Sequence, residues 1–284
     1  MRARLSGLTA VLILVLAACS TGAWSWSSGG QPAAAAPSSA PASVTPAAAV
    51  ELTIYGAASL KGALEKVKTA YEVVVPGAIL TISTDSSAAL EMKIEQGAPA
   101  DVFLSADAGN PQKLVEAGLA EGDPVPFAGN ELAVIVPADN PARIRSPADL
   151  ARAGVKVIAA GDAVPITTYA TRLVERLAME PGYPAGFVAG YTRNVVSRED
   201  NAKGVVAKIE LGEGDAGIVY VTDAKASTKV ATVDVPESAN VPATYAGVVV
   251  KGSGDVAAAR AFLDWLAGPG GQAILGGFGF LPPP

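Results

Sequence analysis

From Val50 onward, short apolar runs alternate with segments in which apolar residues recur every three or four positions. In the first half, the runs that predict strands are 52–55, 79–82, 102–104 and 132–136. The segments with helical spacing begin at Leu60, Leu90 and Leu114. Because strands and helices alternate along the chain, the pattern predicts α/β layers built on a mostly parallel sheet.

The second half repeats this alternation. Ser146 and Pro147 form a good helix start, with a capping residue followed by proline at the first helical position. The remaining predicted strands are 155–158, 216–221, 230–235 and 245–250. The remaining predicted helices are 169–179, 199–211 and a last amphipathic helix that carries Val256, Phe262, Leu263 and Leu266. About a dozen elements exceed what one small sheet accommodates, so we expect two α/β lobes.

The N-terminus has the pattern of a secretory signal. Arg2 and Arg4 precede the apolar run 12–18, which is too short to span a membrane comfortably and ends at Cys19. The tetrapeptide Leu16–Cys19 resembles the bacterial lipobox, in which the cysteine is diacylated and becomes the new N-terminus. We therefore predict a signal peptide over 1–18 and a lipid anchor at Cys19, on the outer side of the cell membrane. The alternative is a conventional signal peptide with an incidental cysteine.

The segment 19–50 predicts a tether rather than a domain. After Cys19 it consists almost entirely of Ala, Ser, Pro, Gly and Thr, and it contains no charged residue. Such a composition cannot form a packed core, so we expect a disordered linker and a folded region over 51–284.

The composition excludes several classes of site. The 284 residues contain no histidine and one cysteine. A Ser–His–Asp or Cys–His catalytic set, a histidine-ligated metal and an internal disulfide are therefore impossible, and we expect no site for a bare metal cation. The net charge of −6 also argues against a nucleic-acid partner.

Small polar residues follow several of the predicted strands. Ser59 and Ser87 stand at predicted helix starts, and Tyr220 ends a predicted strand. Ligands in open α/β sheets bind beyond the carboxyl ends of strands, where helix N-termini present free N–H groups. Taken singly, each serine is also explained as a helix cap and the tyrosine as a strand aromatic. Together, and without a nearby cation, these loops suit a compact and fully ionised anion.

Four segments carry a resemblance to a known family. They are Tyr55–Leu60, Lys93–Asp107 with its Gly-Ala-Pro-Ala-Asp core, Gly217–Ala224, and the closing Gly268-Pro269 with Gly277–Phe280. In the same order and at similar spacing, they resemble the molybdate-binding protein of molybdate ABC importers. The resemblance covers the folded region nearly from end to end.

The resemblance implies a two-lobed α/β fold of the periplasmic-binding-protein type II, each lobe a mostly parallel sheet flanked by helices. It places 51–130 and 241–284 in lobe 1 and 131–240 in lobe 2. It implies a monomer that binds molybdate, and also tungstate, and delivers it to an ABC transporter permease, without enzymatic activity or a cofactor. The ligand donors that it implies are hydroxyl and N–H groups of Ser59 and Ser87, backbone N–H groups of Ile166 and Ala202, and the phenol of Tyr220.

Three positions bear on this expectation. Thr167 stands where the family commonly has glycine, and it could alter the turn or add a hydroxyl. Lys203 replaces an arginine beside Ala202, which keeps the backbone donor. Asp85 precedes the second pair of serines, and because a carboxylate close to an oxyanion would repel it, we expect Asp85 to point away from the ligand.

Two alternatives remain open from the sequence. The first is a solute receptor for another anion, such as sulfate, phosphate or an organic anion. The second is a secreted serine hydrolase that uses Ser59 or Ser87. Neither serine lies in a Gly-x-Ser-x-Gly elbow, and the lysines available for a Ser–Lys dyad, Lys61 and Lys93, fall at positions expected to be exposed.

Overall fold

The structure is a computed structural model that describes residues 50–284, and the strands of this region form two five-stranded sheets. The first sheet contains β1 (Val50–Ala57), β2 (Ala78–Asp85), β3 (Val102–Ser105), β4 (Ala120–Asn130) and β10 (Ala243–Val250), in the order β2-β1-β3-β10-β4. The second contains β5 (Leu132–Pro137), β6 (Val157–Ala160), β7 (Val195–Glu199), β8 (Ala216–Tyr220) and β9 (Val230–Val233), in the order β7-β6-β8-β5-β9.

Each sheet is mostly parallel, with one strand of opposite direction. In the first sheet β1 pairs in parallel with β2 and β3, whereas β10 is antiparallel to both β3 and β4. In the second, β6 pairs in parallel with β7 and β8, whereas β5 is antiparallel to both β8 and β9. Four strands of each sheet therefore point the same way. This confirms the two-lobed α/β fold predicted from the sequence.

Helices flank both sheets. They are α1 (Lys61–Val74), α2 (Ser87–Glu95), α3 (Gly109–Glu116), α4 (Pro165–Leu177), α5 (Phe187–Asn194), α6 (Ala202–Glu210), α7 (Val221–Lys225), α8 (Val256–Ala267) and α9 (Pro269–Gly277). Short 3-10 helices cover Ala58–Leu60 and Pro147–Ala151. The predicted start at Ser146 is confirmed as a capping box with Asp149, although only a 3-10 turn follows it. Within residues 50–284, no helix combines the length and the apolar character that a membrane span requires.

The hydrophobic pattern did not predict every element. β4 contains Gly122, Pro124 and Pro126, which interrupt its apolar run, and its pairing with β10 has two register shifts that accommodate them. The helix α8 is also not the last one, because α9 follows it directly. A side-chain carbon at Gly271 would lie 2.1 Å from the carbonyl oxygen of Leu266, so glycine is what allows α9 to pack closely against α8.

Two crossings connect the sheets. The chain leaves the first sheet at Asn130, enters the second at Leu132, and returns between β9 and β10. The side chain of Asn240 joins the two crossings: its Oδ1 accepts from Leu132 N and its Nδ2 donates to Leu132 O, both at 3.2 Å. Five buried rings continue the core between the sheets, with neighbouring ring centroids 5.3–6.3 Å apart: Phe127, Tyr169, Tyr220, Tyr245 and Phe280.

Candidate functional site

One pocket lies where the carboxyl ends of strands from both sheets face each other. It contains about 220 Å³ of space not filled by atoms, including the part that is open to solvent. Its lining includes all five residues singled out from the sequence, which are Ser59, Ser87, Ile166, Ala202 and Tyr220. The structure therefore brings together groups that are up to 161 positions apart in the chain.

The first sheet contributes two helix starts to this pocket. The 3-10 helix that contains Ser59 begins directly after β1, and α2 begins at Ser87, with Ser86 alone between it and β2. The first N–H groups of a helix have no partner within the helix. At both starts, free N–H groups and the positive end of the helix dipole therefore lie at the pocket.

The second sheet contributes two more helix starts. Pro165 opens α4 after β6, which leaves the N–H of Ile166 near the pocket as an end donor. Asn201 caps α6 after β7, and its side chain accepts from Gly204 N at 3.0 Å. Since the cap uses the third N–H of this helix, the N–H of Ala202 remains available. Four helix N-termini thus converge from the two sheets.

Tyr220 adds a phenol at the end of β8. Its ring is buried, and its hydroxyl has no hydrogen-bond partner among the described residues. Burial, followed by the neighbouring Tyr245 phenol, raises the pKa of Tyr220 well above its ordinary value. The group therefore keeps its proton in the physiological range and is a hydrogen-bond donor that lacks an acceptor.

The serine hydroxyls differ in their partners. Ser59 Oγ lies 2.9 Å from the hydroxyl of Tyr245, and Ser87 Oγ accepts from Ala106 N at 3.0 Å. Ser86 also lines the pocket, and its buried hydroxyl has no partner in the described region. Ser86 was not among the candidates from the sequence, because a serine before a helix normally caps it; in the structure its side chain makes no capping bond.

The residues lining this pocket, all within the described region, include none with a charged side chain. The carboxylate of Asp85 accepts from Lys93 Nζ at 3.0 Å and from Ser86 N at 2.8 Å, and it lines a neighbouring groove instead. This arrangement agrees with the expectation that Asp85 points away. Thr167 adds no hydroxyl to the pocket, because its Oγ1 is bonded to the carbonyl oxygen of Gly161 at 2.7 Å.

An ion pair between the buried Asp223 and the partly exposed Lys203 lies beside the donors of the second sheet. Asp223 is 2% exposed, and its Oδ1 lies 3.6 Å from the ammonium group of Lys203, beyond hydrogen-bond distance. Burial raises the pKa of Asp223 to about 6, and the attraction of Lys203 offsets only part of this effect. The cation next to Ala202 is therefore paired with a carboxylate rather than directed into the pocket.

Comparisons with known proteins agree with this geometry. The family model for bacterial extracellular solute-binding proteins matches residues 52–281. The molybdate-binding protein ModA of Mycobacterium tuberculosis is 36% identical over 248 residues, which cover 87% of this chain and 90% of that protein. Among solved structures, a periplasmic molybdate-binding protein from Azotobacter vinelandii is 25% identical in sequence and has a TM-score of 0.69. The match covers 82% of this chain and 100% of that chain.

A further solved structure shares the fold. The sulfate-binding protein SubI of Mycobacterium tuberculosis has a TM-score of 0.73 over 82% of this chain and 87% of its own, at 22% identity. At that identity the likeness concerns the architecture alone. The match along residues 52–281 and the 36% identity to ModA are what decide the family. The chain belongs to the bacterial extracellular solute-binding proteins, in the group that contains the ModA molybdate-binding proteins.

Proposed function

We propose that this protein binds molybdate, and also tungstate, in the pocket between its two sheets and delivers the oxyanion to the permease of an ABC transporter. The observation that carries the proposal is the convergence of uncharged donors from both sheets on one pocket, with the buried phenol of Tyr220 left without an acceptor. A fully ionised tetrahedral anion offers acceptors in every direction. It would satisfy these donors without a basic side chain.

The donor set also favours a large oxyanion over a small one. The donors are fixed to helix ends in both sheets, so their separation is set by the fold. Sulfate is smaller than molybdate and would leave some buried N–H groups unpaired, which lowers affinity. Phosphate near neutrality carries a proton that needs an acceptor, and N–H donors provide none.

The hydrolase alternative has little support in the described region. The family consists of solute-binding proteins, which are transport components. Ser59 and Ser87 are bonded to Tyr245 and to the backbone of Ala106, and neither is bonded to a lysine. Lys93 is paired with Asp85. We therefore propose a binding protein without catalytic activity or a cofactor.

The lobe assignment and the anchor are also proposals. We propose that lobe 1 comprises 51–130 and 241–284 and that lobe 2 comprises 131–240, which agrees with the sheet to which each strand belongs. Cys19, the segment 1–18 and all of 19–50 except its last residue lie outside the described residues, and that last residue, Val50, begins β1. For them we propose a cleaved signal and a lipidated tether that holds a monomer at the outer face of the cell membrane. Cys19→Ala should release the protein from the membrane fraction, and its retention there would contradict the anchor.

Thermal unfolding in the presence of separate oxyanions tests the binding function. A ligand that binds the folded state at a concentration of 100 Kd adds about 2.7 kcal/mol to the free energy of unfolding. Molybdate and tungstate should therefore raise the Tm of the purified protein by several degrees, and calorimetry should give one site per chain. Equal stabilisation by sulfate or phosphate would contradict the proposal and favour a receptor for another oxyanion.

A further inference from the structure

Behind Ser59, two buried polar side chains continue the hydrogen bonding away from the pocket. The hydroxyl of Tyr245, on β10, lies 2.9 Å from Ser59 Oγ. Asn130, the last residue of β4, places its Nδ2 3.4 Å from the same phenol oxygen. Tyr245 and Asn130 are 0% and 1% exposed, so water does not compete for these bonds. Neither residue lines the pocket itself.

The direction of this chain of bonds is fixed at Asn130. The backbone N–H of Glu131 donates to Asn130 Oδ1 at 2.9 Å, so the amide oxygen faces that N–H. The amide nitrogen must then face Thr222 Oγ1, at 2.8 Å, and the phenol of Tyr245. Because an amide nitrogen can only donate, the phenol oxygen accepts from Asn130.

The direction of the hydrogen bond between Tyr245 and Ser59 follows from the bond at Asn130. With its oxygen accepting from Asn130, the phenol of Tyr245 has one proton to give, and Ser59 Oγ is the partner that lies within reach. Burial raises the pKa of Tyr245 well above its ordinary value, so the phenol keeps that proton. The hydroxyl of Ser59 therefore accepts from Tyr245, and its own proton is free to point into the pocket.

We propose that Asn130 and Tyr245 are positioning residues that hold Ser59 as a proton donor to the ligand, and so strengthen discrimination against oxyanions that carry a proton. This inference rests on the proposed function. A serine hydroxyl without such partners can either donate or accept. Hydrogen phosphate could turn a free Ser59 into an acceptor for its own O–H, whereas molybdate and sulfate have no proton to give. The relay disfavours that role: Ser59 keeps a second lone pair, but using it for hydrogen phosphate would turn its own proton away from the ligand.

The test is Tyr245→Phe, with Kd values for molybdate, sulfate and phosphate measured near neutral pH by calorimetry or by competition. The ratio of the phosphate Kd to the molybdate Kd should fall by about tenfold, which corresponds to the free energy that one buried hydrogen bond contributes. The ratio of the sulfate Kd to the molybdate Kd should stay within about twofold, because size and not protonation separates these two anions. A pocket that has merely loosened would change both ratios.

Two further variants isolate the pathway through Ser59. Tyr71→Phe removes a phenol oxygen from the same lobe, where the ring packs on Phe262 and Trp265 away from the pocket, and it should leave both ratios unchanged. In a Ser59→Ala background, Tyr245→Phe should no longer change the phosphate ratio, since the group that it orients is gone.

The outcomes separate this inference from the function on which it rests. If the wild type fails to bind molybdate, the proposed function is wrong and the relay falls with it. If the wild type binds molybdate but Tyr245→Phe keeps the phosphate ratio, or shifts the sulfate ratio equally, the relay alone is wrong. Should Tyr245→Phe fail to fold, neutron diffraction of the wild type with molybdate decides. A deuterium on Tyr245 facing Ser59 supports the relay, and one on Ser59 facing Tyr245 overturns it.

Discussion

At the scale of single residues, Tyr220 links folding and binding directly. Its buried hydroxyl has no partner among the described residues, and an unsatisfied group of this kind costs about 1–3 kcal/mol. The fold tolerates this cost where a ligand oxygen would supply the missing acceptor. Stability and affinity should therefore respond in different ways when the hydroxyl is removed.

We predict that Tyr220→Phe lowers molybdate affinity by about 10- to 100-fold, because a hydrogen bond to a charged ligand contributes about 1.5–3 kcal/mol. The free energy of unfolding without ligand should not fall, since the hydroxyl has no protein partner to lose. Calorimetry and denaturant unfolding check the two parts. A variant that unfolds more easily but binds normally would show that the phenol serves the fold and not the ligand.

Asp223 predicts a pH dependence of stability. Its pKa is raised from 3.8 to about 6 in the folded protein by burial. Between these values the folded state binds the proton more tightly than the unfolded state, so this residue destabilises the fold progressively as the pH rises from about 4 to about 6. Above that window the cost is constant, and two pKa units correspond to about 3 kcal/mol.

Asp223→Asn should remove this cost. Relative to wild type, the variant should be nearly equal in stability near pH 4 and should be more stable above pH 6, by at most about 3 kcal/mol. The gain in stability is smaller by the free energy of the ion pair with Lys203, because the variant removes the carboxylate that pairs with this partly exposed ammonium group. Urea unfolding across this pH range measures the difference. A difference that is flat with pH, or that grows towards low pH, contradicts the assignment.

At the scale of elements, the start of α6 connects local capping to the site. Asn201→Ala removes the bond to Gly204 N and should cost about 1 kcal/mol of stability. Because the same turn presents the N–H of Ala202 to the pocket, molybdate affinity should also fall, by about three- to tenfold. Denaturant unfolding and calorimetry measure both effects.

The chain offers a matched control for this cap. Asp255 begins α8 in the same way, with its side chain accepting from Ala258 N at 2.9 Å, but it does not line the pocket. Asp255→Ala should therefore cost similar stability and leave molybdate affinity unchanged. If Asn201→Ala also spares affinity, the start of α6 does not contribute a donor to the ligand.

Element patterns also show how far the sequence could predict this site. Ser59, Ser87, Ile166 and Tyr220 follow or end strands with a clear apolar run, so their places at carboxyl ends were readable from local spacing. Ala202 follows β7, whose Val-Val-Ser-Arg-Glu sequence did not predict a strand. That all of them share one pocket depends on the crossings at Asn130 and before Ala243, which long-range packing sets. The partners of Tyr245 could not be predicted either, because its bonds to Ser59 and Asn130 span 186 and 115 positions.

At the scale of the whole molecule, charge opposes the proposed ligand. The chain carries a net charge of −6. The groove that adjoins the pocket, and shares Ser86 and Val164 with it, has two basic residues, Lys93 and Arg198. Its carboxylates outnumber them, and these are Asp85, Asp162, Glu199 and Asp200. A dianion would therefore approach against both the overall field and the local one, and the helix N-termini attract it only within about a turn.

We therefore predict that molybdate associates faster as ionic strength rises, because the Debye length falls from about 30 Å at 0.01 M to about 10 Å at 0.1 M and screens the repulsion. Stopped-flow tyrosine fluorescence measures the rate. Asp200→Asn should speed association at low salt by up to about fourfold, since a unit charge about 10 Å from a dianion in water contributes about 0.8 kcal/mol. Asp139 is also exposed, but it lies beyond the carboxyl end of β5, which runs opposite to the other strands of its sheet and so ends away from the pocket. Asp139→Asn should therefore change the rate little. Association that slows with salt would mean that a positive field guides the ligand, against the charge distribution of this groove.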